Sequence, residues 1–82
     1  MLSSSAANVI GIFGSVLFIS AFAYANISPA MNKVIFNLAN LIGAICLLIS
    51  LWVHFNLAAF VLEAAWAVIA LIGLIGALRK RA

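Results

Sequence analysis

Apolar positions in this chain fall into three long runs separated by two short polar breaks. The last run, Leu57 to Leu78, is 22 residues long, carries one ionisable side chain, Glu63, and is closed at once by Arg79, Lys80 and Arg81. At 1.5 Å rise per residue a helix of that length covers about 33 Å, enough for a bilayer core of about 30 Å. Ala6 to Ala25 is a run of 20 residues interrupted only by Asn8, Ser15 and Ser20, and Val34 to Val53 is a second run of 20. The pattern predicts an all-α membrane protein: one domain over residues 1–82, with three transmembrane helices near 6–25, 34–53 and 57–78 in an up-down-up bundle. In the first break, Ser28-Pro29 reads as an N-cap followed by proline at the first helical position, which starts the second helix near Pro29. The second break, His54-Phe55-Asn56, has room only for a tight antiparallel hairpin, with Asn56 as the cap of the third helix.

Small and polar residues inside the runs are ordered. On the second helix Asn37, Asn40, Gly43, Ala44, Leu47, Ser50 and His54 recur at helical spacing and form one stripe. On the third, Ala59, Glu63, Ala67, Ala70, Gly73 and Ala77 form another. The first holds the small-xxx-small pair Gly11 and Ser15 with Gly14 beside them, a pattern that lets helix backbones approach closely in lipid. Depth follows from counting. Glu63 lies six residues into its helix, about 9 Å deep, level with Ser50 and with Gly11 to Gly14. His54 is about one turn shallower, and Asn37 and Asn40 sit near the level of Ser20 and Tyr24. Trp52 fits an interfacial belt. Trp66 is deeper, a packing residue or the aromatic wall of a small ligand site.

Composition agrees with lipid as the solvent. The chain is 70% hydrophobic and 6% charged, more apolar surface than a soluble domain of this size can hide. Four Lys/Arg face one acid, and three of the four lie in the last four residues, so the basic balance belongs to the tail. It suits anionic lipid head groups, at about 1 kcal/mol per cation, and not nucleic acid, for which no basic face with base-reading elements is present. Three spans place Lys33, Arg79, Lys80 and Arg81 on one side and no cation on the other. The positive-inside rule then predicts the N-terminus outside and the C-terminus cytoplasmic, in a bacterial inner membrane. Ala23-Tyr24-Ala25 looks like a signal cleavage site, but the lead has no cation and the run exceeds a typical signal core, so it reads as an uncleaved span. Cys46, the single cysteine, reads as a buried small residue.

Candidate chemistry centres on Glu63. A charge at the bilayer centre costs about 2.5–3.5 kcal/mol on the insertion scale. Glu63 is therefore a proton or cation site coupled to His54, a hydrogen-bonding group that locks helices through Ser50 or a backbone carbonyl, or a contact to a partner protein. Asn37 and Asn40 are packing glue or the lining of a polar path. His54 reads as an interfacial residue. The chain has no Asp, no carboxylate pair, no nucleophile set and no phosphate-cradling glycine loop; no enzyme, metal or cofactor is expected. Partners are the bilayer and either itself or other membrane proteins.

Gly11-x-x-Gly14 with Ala21 and Tyr24, Asn37 to Gly43 with Ser50, and Glu63-x-x-Trp66 together resemble a family of small, uncharacterised bacterial integral membrane proteins. The resemblance implies three spans and no assigned activity. Length, span count and orientation are also similar to the three-span half-transporters of the bacterial sugar-transporter type, although their proline-glutamine turn is replaced here by Phe22-Ala23-Tyr24. Two readings follow: a protein that acts by helix association, as homo-oligomer or accessory subunit, and a minimal oligomeric transporter or channel whose path is lined by the second and third helices.

Overall fold

A computed structural model describes residues 2–81, with Arg81 described only by its place in a helix. Three helices are present: α1 (Ser4–Ile27), α2 (Lys33–Leu51) and α3 (Leu57–Arg81). Each is long and apolar enough to cross a membrane. Their ends follow from side-chain caps. The Ser3 hydroxyl accepts the Ala6 N–H at 3.1 Å and opens α1, and the Asn56 Oδ1 accepts the Ala59 N–H at 3.1 Å and opens α3, as expected of that residue.

The start of α2 differs from the expectation. Pro29 lies in a turn, and the cap is Asn32, whose Oδ1 accepts the N–H groups of Val34 and Ile35 at 3.0 and 3.2 Å. Ser28 is taken up by the preceding helix, closing α1 with its N–H on the Tyr24 carbonyl at 2.9 Å. The Tyr24 hydroxyl then accepts the Asn32 N–H at 2.6 Å, so the end of α1 holds the residue that begins α2.

α2 is the middle of the bundle and packs against both neighbours, antiparallel to each. Gly11 lies against Ser50 and Gly14 against Gly43, while Asn37 lies against Gly73 and Asn40 against Trp66. Among the described residues the α1 and α3 backbones do not meet; they touch through side chains laid over α2. Among the described residues the buried apolar side chains are all alanine: Ala7, Ala21, Ala44, Ala70 and Ala77. With Gly14 and Glu63 they place the buried positions of α1 at 7, 14 and 21 and of α3 at 63, 70 and 77. A seven-residue step is the repeat that keeps one seam of a helix facing its partner in left-handed packing.

The α1–α2 contact is backbone to backbone. A Cβ on Gly14 would lie 2.8 Å from the Gly43 carbonyl oxygen and 3.0 Å from Cys46 Cβ; one on Gly43 would lie 2.7 Å from Phe18 Cδ1 and 3.1 Å from the Gly14 carbonyl. Neither backbone can give way without separating the helices. At Gly76, by contrast, an added Cβ meets nothing within 4 Å. Gly14→Ala is therefore expected to destabilise the bundle by about 1–3 kcal/mol, and Gly76→Ala to leave it unchanged or stabilise it by up to about 1 kcal/mol through helix propensity. Steric-trapping measurements in bicelles check both, and equal effects at the two glycines contradict the packing described.

Candidate functional site

The polar side chains gather at three levels of the bundle. In the middle stands Asn40, buried at 6% exposure, on α2. Its Oδ1 accepts the indole N–H of Trp66 at 2.9 Å, and its Nδ2 donates to the Phe36 carbonyl one turn back at 2.8 Å. The two bonds demand the same amide orientation, since a flipped amide would set N–H against N–H. The Trp66 ring leans on Phe18 of α1, with centroids 5.5 Å apart. Trp66 thus joins α3 to α2 through its indole N–H and reaches α1 through its ring. These side chains border a cleft of about 310 Å³ lined by Phe18, Ile19, Phe22, Phe36, Asn40 and Trp66. Asn37 belongs to a different contact: its Nδ2 donates to the Lys33 carbonyl at 2.8 Å while its Oδ1 presses on Gly73.

The second level is the Ser4/His54 end. His54 is exposed, and its Nε2 lies 3.2 Å from the Ser4 hydroxyl, which ties the start of α1 to the α2–α3 connection. Deeper, Ser50 and Glu63 line a common cleft of about 200 Å³ with Leu47, Leu51, His54 and Ala59. Glu63 is buried at 8% exposure, and its Oε2 is sealed from solvent without a hydrogen-bond partner. The Ser50 hydroxyl stands at the α1 side of α2, 2.7 Å from where a Gly11 Cβ would be.

The third level is the basic end. Lys33 and Lys80 line one cleft of about 290 Å³, and Arg79 is exposed beside it. The side chain of Arg81 lies outside the described residues. The cations that are far apart in sequence are therefore gathered at the end of the bundle opposite His54.

Of the small residues singled out for helix packing, Gly11, Gly14, Gly43, Ala70 and Gly73 sit in helix contacts, and Ala67 is half-buried. Ser15 does not join them. It is exposed and returns its hydroxyl to the Gly11 carbonyl at 2.9 Å, because the contact seam of α1 runs through Ala7, Gly14 and Ala21. Phe18, Tyr24 and Asn32 carry contacts that sequence reasoning missed; the Asn just ahead of the apolar run was the legible signal for the last. Among the described residues no three His, Cys, Asp or Glu side chains cluster as a metal site.

A bundle of three helices, each apolar enough to cross a membrane, with small residues inside and large apolar ones outside, is the architecture of a multi-pass membrane protein. A family model of small, uncharacterised proteins of bacterial type matches residues 7–81, nearly the whole of all three helices, and the chain belongs to that family. No curated protein and no solved structure matches the chain. The likeness to half-transporters finds no support in these comparisons.

The Asn40–Trp66 bond lends itself to a double-mutant cycle with Asn40→Leu and Trp66→Phe. The expected coupling is about 0.6 kcal/mol, and no more than about 1.7 kcal/mol, the range of interhelical hydrogen bonds in membranes. Unfolding free energies of the four proteins in bicelles check it; strict additivity would show the bond to be idle.

Proposed function

We propose that this protein works by helix association in a bacterial inner membrane, as a homo-oligomer or as the accessory subunit of a larger membrane complex. The observation that carries the reading is the inversion of size between inside and outside. Among the described residues one copy buries only alanine of its apolar side chains, while Phe13, Ile19, Phe22, Ile69 and Ile72 all point outward. In lipid, apolarity alone does not draw helices together; close packing and polar contact do. The cleft framed by Phe18, Phe22, Phe36 and Trp66 offers close packing to a bulky side chain from another helix. A polar path is the weaker reading, because the groups that would line it are engaged at home: Asn40 with Trp66 and the Phe36 carbonyl, Asn37 with the Lys33 carbonyl.

Orientation follows from the charges. Lys33, Arg79 and Lys80 share one end of the bundle, and short segments rich in Lys and Arg stay in the cytoplasm. The N-terminus then faces outward and the basic tail meets anionic head groups.

Native mass spectrometry of the protein released directly from its membrane is expected to report a defined multimer or a stoichiometric companion. Phe22→Ala is expected to shift that population toward the single chain. A lone chain throughout, with no companion, contradicts the association reading. A C-terminal fluorescent reporter that matures only in the cytoplasm is expected to be bright and a C-terminal phosphatase fusion inactive; the reverse pattern overturns the orientation.

A further inference from the structure

At the end of the bundle opposite His54, α2 begins and α3 finishes, and each brings a lysine to the same place. Lys33 and Lys80 line one cleft of about 290 Å³ with Asn32, Val34 and Ala77. Two like charges on one cleft repel, and the chain has no acidic side chain at that level to set against them. Its single acid, Glu63, is seventeen residues along α3 from Lys80, about 25 Å away. A second copy inserted in the same direction holds its own Glu63 at that same distant depth. We propose that the cleft is a binding site for one anionic phospholipid, held by its phosphate between Lys33 and Lys80.

The position of the cleft selects a lipid. Val34 opens the apolar run of α2, and the run of α3 ends at Leu78. Lys33 and Lys80 therefore stand on the water side of the boundary, with Val34 and Ala77 on the hydrocarbon side of the same cleft. A phospholipid is amphipathic in that order, phosphate outside and glycerol with its first methylenes inside. A free phosphate leaves the apolar wall unused. Basic pockets between spans on the cytoplasmic side suit anionic head groups. Each lysine has three N–H donors and no acceptor, so the pair suits phosphate oxygens. Charge then chooses among lipids. A zwitterionic head group carries an ammonium beside its phosphate, which both lysines repel; a phosphatidylglycerol head group carries hydroxyls there. The start of α2 is not itself the anion's partner, because the Val34 and Ile35 N–H groups are already taken by Asn32 Oδ1. Arg79 is exposed and lies outside the lining.

This inference rests on the membrane placement proposed above and turns a diffuse attraction of the tail into one bound molecule; it does not use helix association. Its test titrates the full chain in neutral detergent with phosphatidylglycerol and counts bound lipid by native mass spectrometry. Saturable binding of one phosphatidylglycerol per chain is expected, with phosphatidylcholine bound at least about fivefold more weakly. Lys33→Gln and Lys80→Gln are each expected to lower affinity about fivefold, the value of one cation beside an anionic head group. Arg79→Gln, one residue away but outside the cleft, is expected to stay within about twofold of wild type at physiological salt. If a lysine variant fails to fold by circular dichroism, the comparison of the two lipids on the wild type decides. Absence of saturation overturns the proposal, and so does equal affinity for the two lipids. Equal losses at Arg79 and Lys80 overturn it in favour of diffuse attraction, and displacement of the lipid by excess inorganic phosphate in favour of a free-anion site. Copy number is read separately in the same spectra and orientation from the reporter fusions, so a failed titration leaves both of those readings standing.

Discussion

The structure depends on how closely α1 and α2 can approach. At Gly14 and Gly43 the two backbones come so near that a methyl group on either would press on the other's carbonyl oxygen. Lipid gives no hydrophobic reward for bringing two apolar helices together, so association rests on dispersion contact, which falls away within a fraction of an ångström, and on polar bonds. Glycine at the crossing and alanine along the seam maximise backbone contact and lose almost no side-chain freedom. Large side chains would hold the helices apart. Their placement outside is the same rule seen from the other side.

Polar groups act within that frame in two ways. Asn40 and Asn37 first satisfy themselves, each donating to the carbonyl one turn back. Their remaining oxygens are then spent across the α2–α3 contact, on the Trp66 indole and against Gly73. Glu63 does neither, although it occupies a seam position as regularly spaced as Ala70 and Ala77. A chain selected for packing alone would place a third alanine there. Burial of an acid at a packing position, with one oxygen unpartnered, separates Glu63 from the other polar side chains of the bundle.

Much of this was legible in the sequence, for a physical reason. Span length and hydropathy are one-dimensional quantities, and the three helices fall within a few residues of the runs that predicted them. Asn56 works as a cap because the cap is a local bond. The error at Ser28-Pro29 is instructive. The pair has the chemistry of a helix start, but α1 runs on through Ile27 and takes Ser28 as its own end, leaving Asn32 to open α2. The stripe on α2 reads as one face and serves two partners: Gly43 and Ser50 meet α1, while Asn37 and Asn40 meet α3. A linear pattern cannot assign a central helix's residues between neighbours. The Phe18–Trp66 contact was illegible for the same reason, since it joins the two helices that do not pack on each other.

The seven-residue spacing on α1 and α3 has a consequence for alignment along the bundle axis. Sliding α3 by one step, about 10.5 Å, would bring one alanine to the place vacated by another, so alanine contact alone barely distinguishes the shifted arrangement from the native one, whereas the same slide of α1 would set Ala7 or Ala21 against the Gly43 carbonyl, where only a glycine fits. What breaks the degeneracy is the non-repeating punctuation: Trp66 finds Asn40 in only one alignment, and Tyr24 finds the Asn32 amide in only one. The alanine seam of α3 thus supplies adhesion with little positional memory. A few polar atoms, weak one by one, tell the helices where along one another to stop.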